Sequence, residues 1–187
     1  AKARKMISSL LALVLAAGVI TAPVSAAEKS SGHYEDIPGR IDMNLIGRYD
    51  VDINDPEGGL EIVAYNEQNK TAYAVDGKNS VLIAVPMRSL KSDGFTDLSS
   101  GGFQINLALA VESKIQGFIT SVAVSPDHSR LAVAIQAKDY NAQGVVAIYP
   151  IDDSEDTLGE PSYVKVGIQP DMVVFAGNNT ILTADEG

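Results

Sequence analysis

Thr120-Ser121-Val122-Ala123-Val124, then Ser125-Pro126-Asp127-His128-Ser129, then Arg130-Leu131-Ala132-Val133-Ala134-Ile135: two short β-branched and apolar runs meet at a corner of turn-forming residues. A polar loop, Gln136 to Gln143, follows, and then another apolar run, Gly144-Val145-Val146-Ala147-Ile148-Tyr149. Upstream the same phrase reads Leu60-Glu61-Ile62-Val63-Ala64-Tyr65, corner Asn66-Glu67-Gln68-Asn69-Lys70, Thr71-Ala72-Tyr73-Ala74-Val75, turn Asp76-Gly77-Lys78-Asn79, and Ser80-Val81-Leu82-Ile83-Ala84-Val85, which Pro86 ends. Downstream an incomplete copy runs Asp171-Met172-Val173-Val174-Phe175, corner Ala176-Gly177-Asn178-Asn179, Thr180-Ile181-Leu182-Thr183-Ala184. The pattern has period two, and no stretch with 3.6 periodicity competes with it in the mature chain. It predicts an all-β meander of antiparallel strands.

Glu61, Ser121 and Asp171 head the three phrases, at spacings close to the roughly 40–50 residues of a propeller blade, the first stretched by an insertion. A four-stranded blade cannot bury both its faces alone, so blades stack in a ring. Small residues such as Ala64, Ala123 and Ala132 let neighbouring sheets approach closely. The expected architecture is a partial β-propeller of about three blades, with a β-sandwich as the alternative, since its strands alternate in the same way. The phrase stops at Ala184-Asp185-Glu186-Gly187, directly after a strand. The expectation is therefore an amino-terminal portion of something longer, whose open blade faces would favour self-association.

The first segment carries the address. Lys2, Arg4 and Lys5 precede an apolar run from Met6 to Ile20, and Pro23-Val24-Ser25-Ala26 supplies small residues for cleavage. Residues 1–26 read as a secretory signal peptide rather than a membrane anchor, which needs roughly 20 apolar residues. Residues 27–42 are mixed and polar and read as a linker, with His33 a solvated side chain within it. The blades occupy residues 43–187.

The 187 residues carry a net charge of −10, which becomes −13 once the three basic residues before Ala27 are set aside. So negative a surface repels nucleic acid and anionic headgroups. With no Cys, the chain has neither disulfides nor thiolate chemistry, and with no Trp and 6% aromatics it lacks a base-stacking platform. Hydrophobic residues at 45% are enough for a core.

Asn44-Leu45-Ile46-Gly47-Arg48-Tyr49, Glu61-Ile62-Val63-Ala64-Tyr65, Ala72-Tyr73-Ala74-Val75, Ser121-Val122-Ala123-Val124 and Gln169-Pro170-Asp171-Met172-Val173-Val174-Phe175, with Ala184-Asp185-Glu186-Gly187, resemble the choice-of-anchor I family of secreted bacterial proteins. The resemblance covers about Met43 to Gly187. It implies a larger extracellular β-propeller attached to the cell surface or joined to other domains, some of them phosphoesterase-like. Family members usually carry Asn where this chain has Asp185.

Candidate chemistry is sparse. Asp171, Asp185 and Glu186 flank one strand and form a candidate Ca²⁺ set of hard oxygen ligands, against the simpler reading of a turn cap and a surface loop. Asp50-Val51-Asp52-Ile53-Asn54-Asp55 lacks the Gly and Glu that an EF-hand loop requires. Ser125, Asp127 and His128 form a tight turn rather than a triad, because consecutive turn residues diverge. The segment Leu90 to Gly117 reads as a surface loop and a recognition candidate. Two functions follow. The first is a non-catalytic secreted or cell-surface binding module for an extracellular protein or glycan, with further blades of the same protein as its other partner. The second is a metal-dependent hydrolase or phosphoesterase-associated propeller.

Overall fold

The computed structural model describes residues 43–51, 59–77, 79–106, 117–152 and 157–187. The signal-peptide and linker readings, His33, and most of the acidic run at Asp52–Asp55 lie outside them. Met43–Gly187 form one compact unit, all-β among the described residues.

Three antiparallel sheets follow one another along the chain. Sheet I contains β2 (Ile62–Asn66), β3 (Thr71–Asp76), β4 (Val81–Pro86) and β6 (Phe103–Asn106) in that spatial order. Sheet II is built on β7 (Ile119–Val124), β8 (Arg130–Ile135) and the long β9 (Gln143–Asp152), whose outer edge pairs with β11 (Ser162–Ile168) and, at its end, β10 (Thr157–Leu158). Sheet III is the hairpin β12 (Pro170–Phe175) and β13 (Ile181–Asp185). Neighbours in sequence are neighbours in space, as short polar corners between alternating runs require. Among the described residues none of the sheets closes on itself.

Alternation then assigns each side chain to a face. Tyr73, Val75, Leu82 and Ala84 of sheet I pack against Val122, Leu131, Val133, Ile135, Val145, Ala147 and Tyr149 of sheet II. The opposite face of sheet II, with Ala132, Ala134 and Val146, packs against Val173, Phe175 and Ile181 of sheet III. Sheet II is thus covered on both sides, and its central strand β8 is buried from Leu131 to Ile135. The first strands run side by side, β2 against β7 and β7 against β12. Val173 N–H donates to Ser121 Oγ at 3.2 Å, and Thr120 Oγ1 donates to the Pro170 carbonyl at 2.6 Å.

One expectation is corrected. The described part of the expected surface loop, residues 90–106, is not merely a loop, residues 107–116 lying outside the described residues: Phe103–Asn106 complete sheet I as its fourth strand, Val81 pairing with Asn106 and Ala84 with Phe103. Before it, β5 (Thr96–Asp97) pairs in parallel with β1 (Gly47–Arg48). Thr96 N–H donates to the Ile46 carbonyl at 2.9 Å and Leu98 N–H to the Arg48 carbonyl at 2.7 Å. The reason is apolar. Leu98 is buried with Ile83 and Val85, and Tyr49, Val51, Met87 and Leu90 close over them, so residues 43–51 strap the outer half of sheet I.

Candidate functional site

The stack has two different ends. At one end the hairpin corners are tied in a row: Asn66 Nδ2 donates to the His128 carbonyl at 3.1 Å, and Arg130 Nη2 donates to Asn179 Oδ1 at 3.0 Å. The Asn66–Lys70 corner is also satisfied internally, whereas His128 Nδ1 in the next corner is buried without a hydrogen-bond partner among the described residues. Asn66 Oδ1 accepts from the Gln68 and Asn69 amides, and Asn69 Nδ2 donates to the Tyr73 hydroxyl at 3.2 Å. Lys70 and His128 take left-handed backbone at φ 58° and 61°, a conformation few side chains adopt without such local support.

The Ser125–Ser129 corner confirms a turn. Asp127 Oδ1 accepts from Ser125 Oγ at 2.6 Å, from Ser129 Oγ at 2.8 Å and from the Ser129 amide at 3.2 Å. The Ser125 hydroxyl first, and then Ser129, hold the Asp127 carboxyl down at about 2. Stability from the ionised carboxylate is therefore present above the ordinary value of 3.8 and is lost as pH falls through about 2. A carbon-detected NMR titration of Asp127 is expected to show a midpoint near 2, and a midpoint at the ordinary aspartate value would refute this account of the corner.

The opposite end gathers the turns leaving each second strand and the approaches to β7 and β12. Ser80 Oγ donates to the Gly117 carbonyl at 3.0 Å, linking sheets I and II. Asp76 closes its own turn, accepting from the Asn79 amide at 3.1 Å and from Asn79 Nδ2 at 2.8 Å. Gln169 is buried, takes φ 54°, and donates from Nε2 to the Tyr140 carbonyl at 3.1 Å, while its own carbonyl accepts from the Glu186 amide. The two Gln169 bonds tie Tyr140, Gln169 and Glu186 together at this end, where Tyr140 is two-thirds exposed.

The three expected carboxylates lie on this loop end. Asp171 falls in a bulge of β12, Asp185 pairs across the hairpin with Pro170, and Glu186 follows it. Asp185 Oδ2 accepts from Thr183 Oγ1 at 3.3 Å and crowds Gly167, where a Cβ would meet it at 2.5 Å. Among the described residues no three carboxylate or imidazole groups are grouped to share an ion, this trio included. What sequence reading missed is Gln169. Nothing in Ile168-Gln169-Pro170 marks a buried left-handed amide, although Gly167 and Pro170 mark a bend.

A second concavity lies on the uncovered inner half of sheet I. It has a volume of about 280 Å³, an apolar floor including Ala72 and Ala74, and walls including Tyr49, Val63, Met87 and Leu98. Arg48 and Glu61 stand at its rim, and Arg48 pairs with Asp50 at 3.0 Å. Its lining suits apolar surface rather than a charged ligand.

A family model, the choice-of-anchor I domain, matches residues 61–187, starting after the Met43–Leu60 stretch included in the resemblance. No curated protein matches the chain. Among solved structures, a Bacteroides fragilis NCTC 9343 protein provisionally described as a 6-phosphogluconolactonase is 22% identical, with a TM-score of 0.51 over 68% of this chain and 32% of its own. A Bacteroides uniformis ATCC 8492 protein of the same description is 13% identical, with a TM-score of 0.38, over 76% of this chain and 52% of its own. The chain thus spans about a third of the first and half of the second. The first similarity is one of fold alone.

Proposed function

This chain belongs to the choice-of-anchor I family, and from that premise we propose that its three sheets are blades of a secreted or cell-surface β-propeller that binds an extracellular protein or glycan through its loop end. The observation that carries the reading is the stack itself. Meander sheets packed face to face with their first strands side by side set the turns of all three sheets on one surface. Rigid scaffolds that present clustered loops are suited to recognition. Tyr140 is the side chain best placed to anchor a ligand, since an exposed aromatic offers large contact area at low entropic cost. The partial-propeller reading is supported by the meander order within sheets I and II, and further blades of the same protein are the natural cover for the outer faces.

Retention of the purified chain on isolated cell walls and on glycan and protein arrays tests the binding role. Tyr140→Ala is expected to weaken retention by about tenfold or more, equivalent to about 1.4 kcal/mol, whereas Lys70→Ala at the opposite end is expected to leave it unchanged. Equal loss from both would refute a loop-end site. Tight Ca²⁺ or Mn²⁺ uptake lost in Asp185→Asn, accompanied by hydrolysis of a phosphoester, would replace this reading with the metal-dependent enzyme.

A further inference from the structure

We propose that Asp93-Gly94 is a site of spontaneous backbone modification, where aspartate converts to isoaspartate through a succinimide, and that this conversion slackens the strap over sheet I. The step needs no partner and no cofactor. The Gly94 amide nitrogen attacks Asp93 Cγ, a C–N bond forms, and the carboxyl hydroxyl leaves with the amide proton as water. Water then reopens the ring. Entry at the Cγ carbonyl restores aspartate, whereas entry at the main-chain carbonyl leaves the chain running through the side chain. The backbone is then longer by a methylene, and no atom is gained or lost overall.

Glycine favours this ring closure, since no Cβ hinders its nitrogen and its backbone turns freely. Asp-Gly occurs twice in the chain, at Asp76-Gly77 and Asp93-Gly94, and the fold treats the two in opposite ways. Asp76 is buried, and its carboxylate oxygens are held by the Asn79 amide at 3.1 Å and by Asn79 Nδ2 at 2.8 Å. Gly77 is enclosed as well: a Cβ there would meet the Ile119 carbonyl at 3.0 Å and Glu61 Oε2 at 3.1 Å. Ring closure at Asp76 would have to break both hydrogen bonds inside a packed turn. Residues 91–95, by contrast, are all exposed, and a Cβ at Gly94 would meet nothing within 4 Å. The Asp93 carboxyl and the Gly94 nitrogen can therefore meet by local rotation of a surface bend, without disturbing a packed element.

That bend lies between two attachments to the strap. Before it, Leu90 packs so closely on Gly47 that a Cβ there would collide with the leucine side chain. After it, the Thr96 amide donates to the Ile46 carbonyl at 2.9 Å and the Leu98 amide to the Arg48 carbonyl at 2.7 Å. A lengthened backbone and a displaced carboxylate between those fixed ends change the span that sets β5 beside β1, so their pairing weakens. An old copy of the protein thus differs from a new one at the strap, with no enzyme having acted on it.

Incubation of the full chain at neutral pH and physiological temperature, followed by proteolysis and peptide mapping, tests the proposal. The peptide holding residues 93 and 94 is expected to yield an isomer of unchanged mass that accepts a methyl group from a protein isoaspartyl methyltransferase and, after incubation in heavy-oxygen water, carries the label. The Asp76-Gly77 peptide is expected to stay unconverted in the folded chain and to convert alongside the other once guanidinium unfolds the protein. Gly94→Ala, which the open space at that position accommodates, should slow conversion several-fold, and Asp93→Glu should abolish it, because the longer side chain closes a larger and slower ring. In the converted chain, hydrogen exchange at Thr96 and Leu98 should quicken while Val133 stays protected. Equal conversion at both steps in the folded chain, or none at Asp93 over a period in which the unfolded chain converts, would overturn the site. Unchanged exchange at Thr96 and Leu98 in converted protein would overturn its link to the strap.

Discussion

Leu131→Ala is expected to remove about 2–5 kcal/mol of folding free energy, a large share of the roughly 5–15 kcal/mol that holds an ordinary domain together. Leu131 has no exposed surface and lies on the face of sheet II that meets sheet I. It pairs with Val124 on one side and Tyr149 on the other, so its isobutyl group is enclosed within its own sheet and by the sheet in front. Truncation loses the transfer free energy of the removed carbons and leaves a cavity that paired strands cannot collapse to fill. Urea unfolding should show a lower midpoint with an unchanged slope. A midpoint shift worth under about 1 kcal/mol would show that the sheet I–sheet II contact is not a close-packed core.

Gly144→Ala is expected to cost on the order of 3 kcal/mol by overpacking, and its damage should fall on a different seam. A Cβ at Gly144 would lie 2.5 Å from Pro170 Cδ and 2.6 Å from the Ile135 carbonyl oxygen. Neither is the far end of a flexible side chain, so β9 or the start of β12 must move. Pro170 begins sheet III and its carbonyl accepts from Thr120, so hydrogen exchange should quicken at Val173 and its neighbours while Val133 and Leu82 stay protected. Uniform acceleration, or none, would contradict this assignment of Gly144 to the junction of sheets II and III.

The hairpins were legible because their corners spell out their own hydrogen bonds. Asn66, Asn69, Asp76 and Asp127 each cap a turn within a few residues, and such local pairings are written in local sequence. Strand β6 was hidden because Gly101-Gly102 and the Ser- and Asp-rich stretch before it obscure the alternation, while its pairing with β4 depends on backbone reach that no spacing encodes. The parallel pairing of β1 and β5 was hidden for the same reason. Propeller and sandwich share one alternation, and only the face-by-face contacts describe how the three sheets are layered. At the loop end, the strand-flanking positions of Asp171, Asp185 and Glu186 were readable. The bulge at Asp171 and the Thr183 hydroxyl on Asp185 were not, since they depend on how the hairpin's register slips.

The strap across sheet I bears on the order in which the molecule assembles. Every pairing within sheets I, II and III joins strands that are close in sequence, so each can form early with little loop-closure entropy. Gly47 must instead find Thr96 after the intervening chain has folded into β2, β3 and β4. Residues 46–50 are therefore expected to dock only after sheet I has formed. Their lifting would uncover Ile83, Val85 and Leu98 and turn a half-open sheet face into a fully open one, a sticky intermediate reached without global unfolding.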